Sequence, residues 1–138
     1  MKTRAIALTT IVLLALCSGL LLQAEAAPKK ERNLAGTWQL RGWNMGTKPD
    51  GKEDYTGTVE VVAKGKNTFA VTWLVGKNRN KGVGIYDPKS DVFAAGYSIG
   101  GSAGCAIWNF SKDGKTLTCT GTFEKRLGQV AHEEWSRK

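Results

Sequence analysis

Thr68–Val75 reads TFAVTWLV, and Gly76-Lys77-Asn78 follows it. Phe69, Val71, Trp73 and Val75 fall on one face at a spacing of two, with Thr68, Ala70, Thr72 and Leu74 on the other. Strict alternation of this kind, ended by a glycine-containing turn, predicts a strand with one buried face. The pattern recurs on both sides. Thr116–Phe123 sets Leu117, Cys119, Gly121 and Phe123 against four threonines, and Tyr55–Ala63 sets Tyr55, Gly57, Val59 and Val61 against Thr56, Thr58 and Glu60.

Working outward, the predicted strands are Thr37–Trp43, Tyr55–Ala63, Thr68–Val75, Lys81–Tyr86, Val92–Ser98, Cys105–Phe110, Thr116–Phe123 and Val130–Ser136. Turn residues separate them: Lys64-Gly65-Lys66-Asn67, Asp87-Pro88-Lys89-Ser90, Gly100-Gly101 and Lys112-Asp113-Gly114. Only Asn44–Asp54 is a long connector, and its polar composition with Gly and Pro marks an exposed loop. Gly100–Gly104 reads as a flexible hairpin loop. Short links make successive strands antiparallel, since a parallel pair needs a long crossover. The expected fold is therefore all-β, an eight-stranded antiparallel up-and-down barrel that closes to remove its edges. Gly57, Gly82, Gly84, Gly96 and Gly121 lie inside strands, where they allow sharp coiling or close approach.

The N-terminus has a different composition. Lys2 and Arg4 precede an almost wholly apolar run, Ala5–Leu22, and Ala24-Glu25-Ala26 offers the small residues that signal peptidases read. Met1–Ala26 is predicted to be a cleavable signal peptide; the apolar run also approaches the length of a retained anchor. Cleavage predicts a secreted or periplasmic protein with no membrane span. Ala27–Asn33 then forms a charged, flexible tail, and Leu34–Lys138 a single domain. Removing Lys2, Arg4 and Glu25 from 20 basic and 12 acidic side chains leaves 18 and 11, a net charge of about +7.

At Asn33-Leu34-Ala35-Gly36-Thr37-Trp38 the chain resembles the opening of the calycins, the lipocalin and avidin group of eight-stranded barrels. The resemblance implies that Trp38 packs across the closed end of the barrel beneath an Arg of the last strand, a part open to Arg137. Tyr55-x-Gly57-x-Val59, Phe69-x-Val71-x-Trp73-x-Val75-Gly76, Gly82-x-Gly84 and Cys105-Ala106-Ile107-Trp108-Asn109-Phe110 are similar to a group of small secreted bacterial proteins, some labelled fibronectin-binding. Biotin binding does not carry over, because the avidin group's polar and tryptophan contacts have no residue-by-residue match.

Catalytic chemistry finds little material. His132 is the sole histidine, and along a strand it aligns with Glu134 and faces away from Glu133. Gly101-Ser102-Ala103-Gly104 lacks the strand–turn–helix setting of a nucleophile elbow, and Gly82-x-Gly84 lacks a helix to cradle phosphate. The residues present predict no catalytic site, no metal site and no cofactor. Location and motif both argue against nucleic acid.

Binding has better material. Trp43, Tyr97 and Trp108 are candidates to line an internal ligand site, being bulky aromatics beside polar or glycine-rich neighbours. Lys77, Arg79 and Lys81 alternate onto one face and, with Lys64 and Lys66, could form a basic rim for an extracellular protein or polyanion. A small, partly apolar molecule in the barrel is the first reading; the rim is the second. Cys105 and Cys119 leave a disulfide open: one hairpin register makes them diagonal neighbours, another puts them on opposite faces. No feature signals oligomeric state.

Overall fold

Turn chemistry and alternation set the architecture. A computed structural model describes residues 31–137, and the predicted signal segment lies outside them. Eight strands follow one another: β1 (Gly36–Trp43), β2 (Tyr55–Gly65), β3 (Thr68–Val75), β4 (Asn78–Asp87), β5 (Val92–Ile99), β6 (Ser102–Phe110), β7 (Thr116–Phe123) and β8 (Ala131–Ser136). Each pairs antiparallel with the next, and β8 pairs back onto β1, so the sheet closes into an up-and-down barrel. A single 3₁₀ turn, Glu124–Arg126, sits between β7 and β8. No helix among the described residues is long and apolar enough to cross a membrane.

Two hairpins are tighter than the sequence predicts, and the strands beside them run longer. Val75 pairs with Asn78, which leaves Gly76-Lys77 as a two-residue turn and starts β4 three residues early. Ile99 pairs with Ser102 across Gly100 (φ 57°) and Gly101 (φ 72°). Two successive left-handed residues match the twist of a hairpin, so the predicted flexible loop Gly100–Gly104 is mostly strand.

An up-and-down barrel puts alternate turns at opposite ends. At one end lie the β2–β3, β4–β5 and β6–β7 turns; at the other lie Asn44–Asp54 and the β3–β4, β5–β6 and β7–β8 links. The first end is packed shut. Leu34, Trp38, Phe93, Leu117 and Trp135 are fully buried there. Trp38 Nε1 donates to the Leu34 carbonyl at 3.0 Å, and Arg137 Nη2 donates to the Leu34 and Ala35 carbonyls at 2.9 and 2.7 Å. The Arg137 guanidinium lies 3.9 Å from the centre of the Trp38 ring. Arg32 belongs to the same plug: its Nε donates to Asp91 at 2.9 Å and its guanidinium covers Phe110 at 4.8 Å. The predicted tail is thus anchored at Arg32, because a carboxylate and an aromatic face hold its charge.

The thiols do not pair. Cys105 lies opposite Thr122 and Cys119 opposite Trp108, so Cys105 faces outward and Cys119 inward. A disulfide cannot pass through the sheet, which corrects the bridge that two cysteines in an oxidising compartment suggest.

Candidate functional site: a half-filled barrel with a buried carboxylate

Side-chain size decides where the barrel is hollow. Towards the closed end the inward positions carry Trp38, Val61, Val71, Phe93, Trp108, Leu117 and Trp135. Towards the loop-rich end they carry Gly42, Gly57, Gly82, Gly104, Ala106, Gly121 and Ala131. Small residues there leave a cavity of about 380 Å³, within the range typical of small-molecule sites. Tyr55, Trp73, Tyr97, Trp108 and Phe123 wall it, and Asn44, Asp54, Asn78 and Asn80 bring polar groups to it.

Tyrosine rings occupy the space the glycines vacate. A Cβ on Gly42 would stand 2.0 Å from Tyr55 Cζ, and one on Gly104 would stand 2.3 Å from Tyr97 Cε2. Each ring therefore lies against a neighbouring strand at a place where only hydrogen fits. Tyr97 also packs edge-on against Trp73, with ring centroids 5.4 Å apart, and against Phe123 at 5.2 Å.

Glu133 reaches this interior from β8. Its Oε1 accepts from the Tyr55 hydroxyl at 3.1 Å; its Oε2 accepts from Trp135 Nε1 at 2.9 Å and from Trp73 Nε1 at 3.3 Å. Burial holds the carboxyl above its usual range, and the three donors pull partly the other way. Burial likewise pushes up the Tyr55 and Tyr97 hydroxyls and the Cys119 thiol, so all three stay protonated near neutral pH. Beneath the carboxylate, Trp108 and Trp135 pack with ring centroids 4.6 Å apart. Trp108 Nε1 is buried without a hydrogen-bond partner among the described residues, a costly condition for a donor.

Tyr97 and Trp108 therefore border the cavity, and Trp43 does not. Trp43 pairs with His132 on the outer face. There its ring stacks under Arg41 at 5.1 Å and its Nε1 donates to the Gly51 carbonyl at 3.3 Å, tying down the long loop. Parity excludes it: Trp38, Leu40 and Gly42 point inward, so residue 43 points out. His132 is also outward, while Glu134 is engaged by Arg41 at 3.0 Å.

Lys77, Arg79 and Lys81 are exposed on the outside of β4 and its preceding turn. Lys64 and Lys66 do not join them. They sit at the β2–β3 turn, one whole strand away at the closed end, a separation of about 25 Å at ~3.4 Å per residue.

Glu133, Tyr55 and Trp73 are the interior polar groups that the sequence pattern leaves unassigned. The clue lies in the last strand: if Trp135 enters the core, Glu133 two residues earlier enters it too.

No family model and no curated protein sequence matches the chain. Among solved structures, the barrel is similar to that of a mutant of the fluorescent protein UnaG, with 14% sequence identity over 76% of this chain and 96% of that one and a TM-score of 0.47. The strand pairing itself makes an all-β, closed, eight-stranded antiparallel up-and-down barrel, which fits the calycin-like architecture.

Proposed function

We propose that this chain is an exported, non-catalytic binding protein whose barrel encloses a small, partly apolar molecule. One observation carries the reading: the barrel is filled at one end and hollow at the other, with a 380 Å³ space walled by aromatic rings. A core needed only for stability gains from filling such a space, since voids forfeit dispersion contacts. Export is supported by the Met1–Ala26 sequence. The non-catalytic reading is supported by the position of His132, the sole histidine of the sequence, on the outer face of β8 away from the cavity.

The alternative is an extracellular protein- or polyanion-binding module acting through loops and a basic rim. Three exposed cations, Lys77, Arg79 and Lys81, are its material. Native mass spectrometry of protein purified from its own source separates the readings. A retained small molecule, lost in an Ala131→Trp variant that fills the cavity, supports the barrel. Binding only to a polyanion such as heparin, steeply salt-dependent and abolished by neutralising the three cations, would refute it.

A further inference from the structure

The ligand's chemistry can be read from Glu133. We infer that the cavity takes a small organic amine as its cation, with the ammonium or N–H group on Glu133 and the apolar body against Trp73, Tyr97 and Trp108. This rests on the enclosed-ligand reading above and narrows it.

Glu133 borders the cavity as a carboxylate whose assigned partners all donate to it. The two indoles can only donate, which fixes Oε2 as an acceptor. Oε1 accepts from Tyr55 alone, which leaves it capacity for one more donor. Among the described residues, no cation faces it from any wall. The inward groups around it are Gly42 on β1, Tyr55 and Gly57 on β2, Trp73 on β3, Asn80 and Gly82 on β4, Tyr97 on β5, Gly104 and Ala106 on β6, Cys119 and Gly121 on β7, and Ala131 and Trp135 on β8. A buried carboxylate without a counter-ion is costly, and a bound ammonium would relieve that cost through a charge-assisted hydrogen bond. The indole and phenol faces beside it attract a cation through their ring quadrupoles. An anionic ligand would meet the reverse: a second negative charge, with no Lys or Arg among the described cavity-lining residues to offset it.

Linkage follows. Burial raises the titration of Glu133 in the empty barrel and a bound cation lowers it again, so binding releases protons over the pH range between the two. Amine affinity should rise with pH through the titration of Glu133 and then level off, until the amine itself deprotonates.

Three matched probes test this by calorimetry: 2-(1-naphthyl)ethylamine, 2-(1-naphthyl)ethanol and 1-naphthylacetate. The amine should bind at least about tenfold more tightly than the alcohol, and the acid more weakly than either. Over the pH range in which affinity rises, two buffers of different ionisation enthalpy should report proton release with the amine alone. Glu133→Gln should bring the amine down to the alcohol's affinity. If that variant does not fold, the wild-type probe order and pH series decide. An alcohol or acid binding as tightly as the amine overturns the inference and leaves the enclosed-ligand reading intact. If no probe binds, the inference falls; a native protein that also carries no small molecule removes the enclosed-ligand reading as well.

Discussion

Replacing Arg137 by Met removes a charge and a hydrogen-bonding fork while keeping most of the side chain's length. Arg137 donates to two carbonyls, Leu34 at 2.9 Å and Ala35 at 2.7 Å, and covers Trp38 at 3.9 Å. The Leu34 carbonyl would keep the Trp38 indole as a donor at 3.0 Å, so the loss concentrates on Ala35. One charge-assisted hydrogen bond costs about 1.5 kcal/mol or more, and the cation–π contact adds roughly 0.5–1 kcal/mol at a partly exposed site. The sum is about 2–3 kcal/mol, or a fall in Tm of about 10–20 °C for a domain near 100 residues. Thermal unfolding followed by near-ultraviolet circular dichroism measures it. Arg137→Lys keeps the charge but loses the planar fork, and should recover about half. Ligand affinity should hold in both variants, because Arg137 and the cavity occupy opposite ends of the barrel. An unchanged Tm in Arg137→Met would refute the reasoning, since the plug would then hold without its cationic lid.

Three other perturbations probe the same geometry. Glu133 has a raised folded pKa, so its contribution is fully present below the unfolded value of about 4.3 and is lost as pH rises through the folded value; chemical denaturation from pH 4 upward should show wild-type stability declining relative to Glu133→Gln, and parallel curves would contradict this. Gly42→Ala places a Cβ 2.0 Å from Tyr55 Cζ, which should push the phenol off Glu133, cost about 1–3 kcal/mol as an overpacked core position, and raise the exposure of Tyr55 to iodination. Cys105 should react with a maleimide in the native state while Cys119 reacts only after unfolding, as one faces solvent and the other the interior; an intact-mass deficit of a disulfide would contradict the strand register.

The sequence by itself determined the strand count, the inward faces of β2, β3 and β7, and the antiparallel order, because side-chain alternation and turn residues are local properties. It also placed Trp38 and Arg137 near each other through their resemblance to the calycin opening. Three features depended on the closed barrel. The β6–β7 register, set by one residue of turn length, decides which face each cysteine occupies. The stacking of small inward residues at one end, contributed by strands far apart in sequence, decides where the barrel is hollow. Finally, Glu133 becomes a site only when β2, β3 and β8 bring Tyr55, Trp73 and Trp135 around it. Local pattern says which way a side chain points, but what it meets there depends on how distant strands close around the same space.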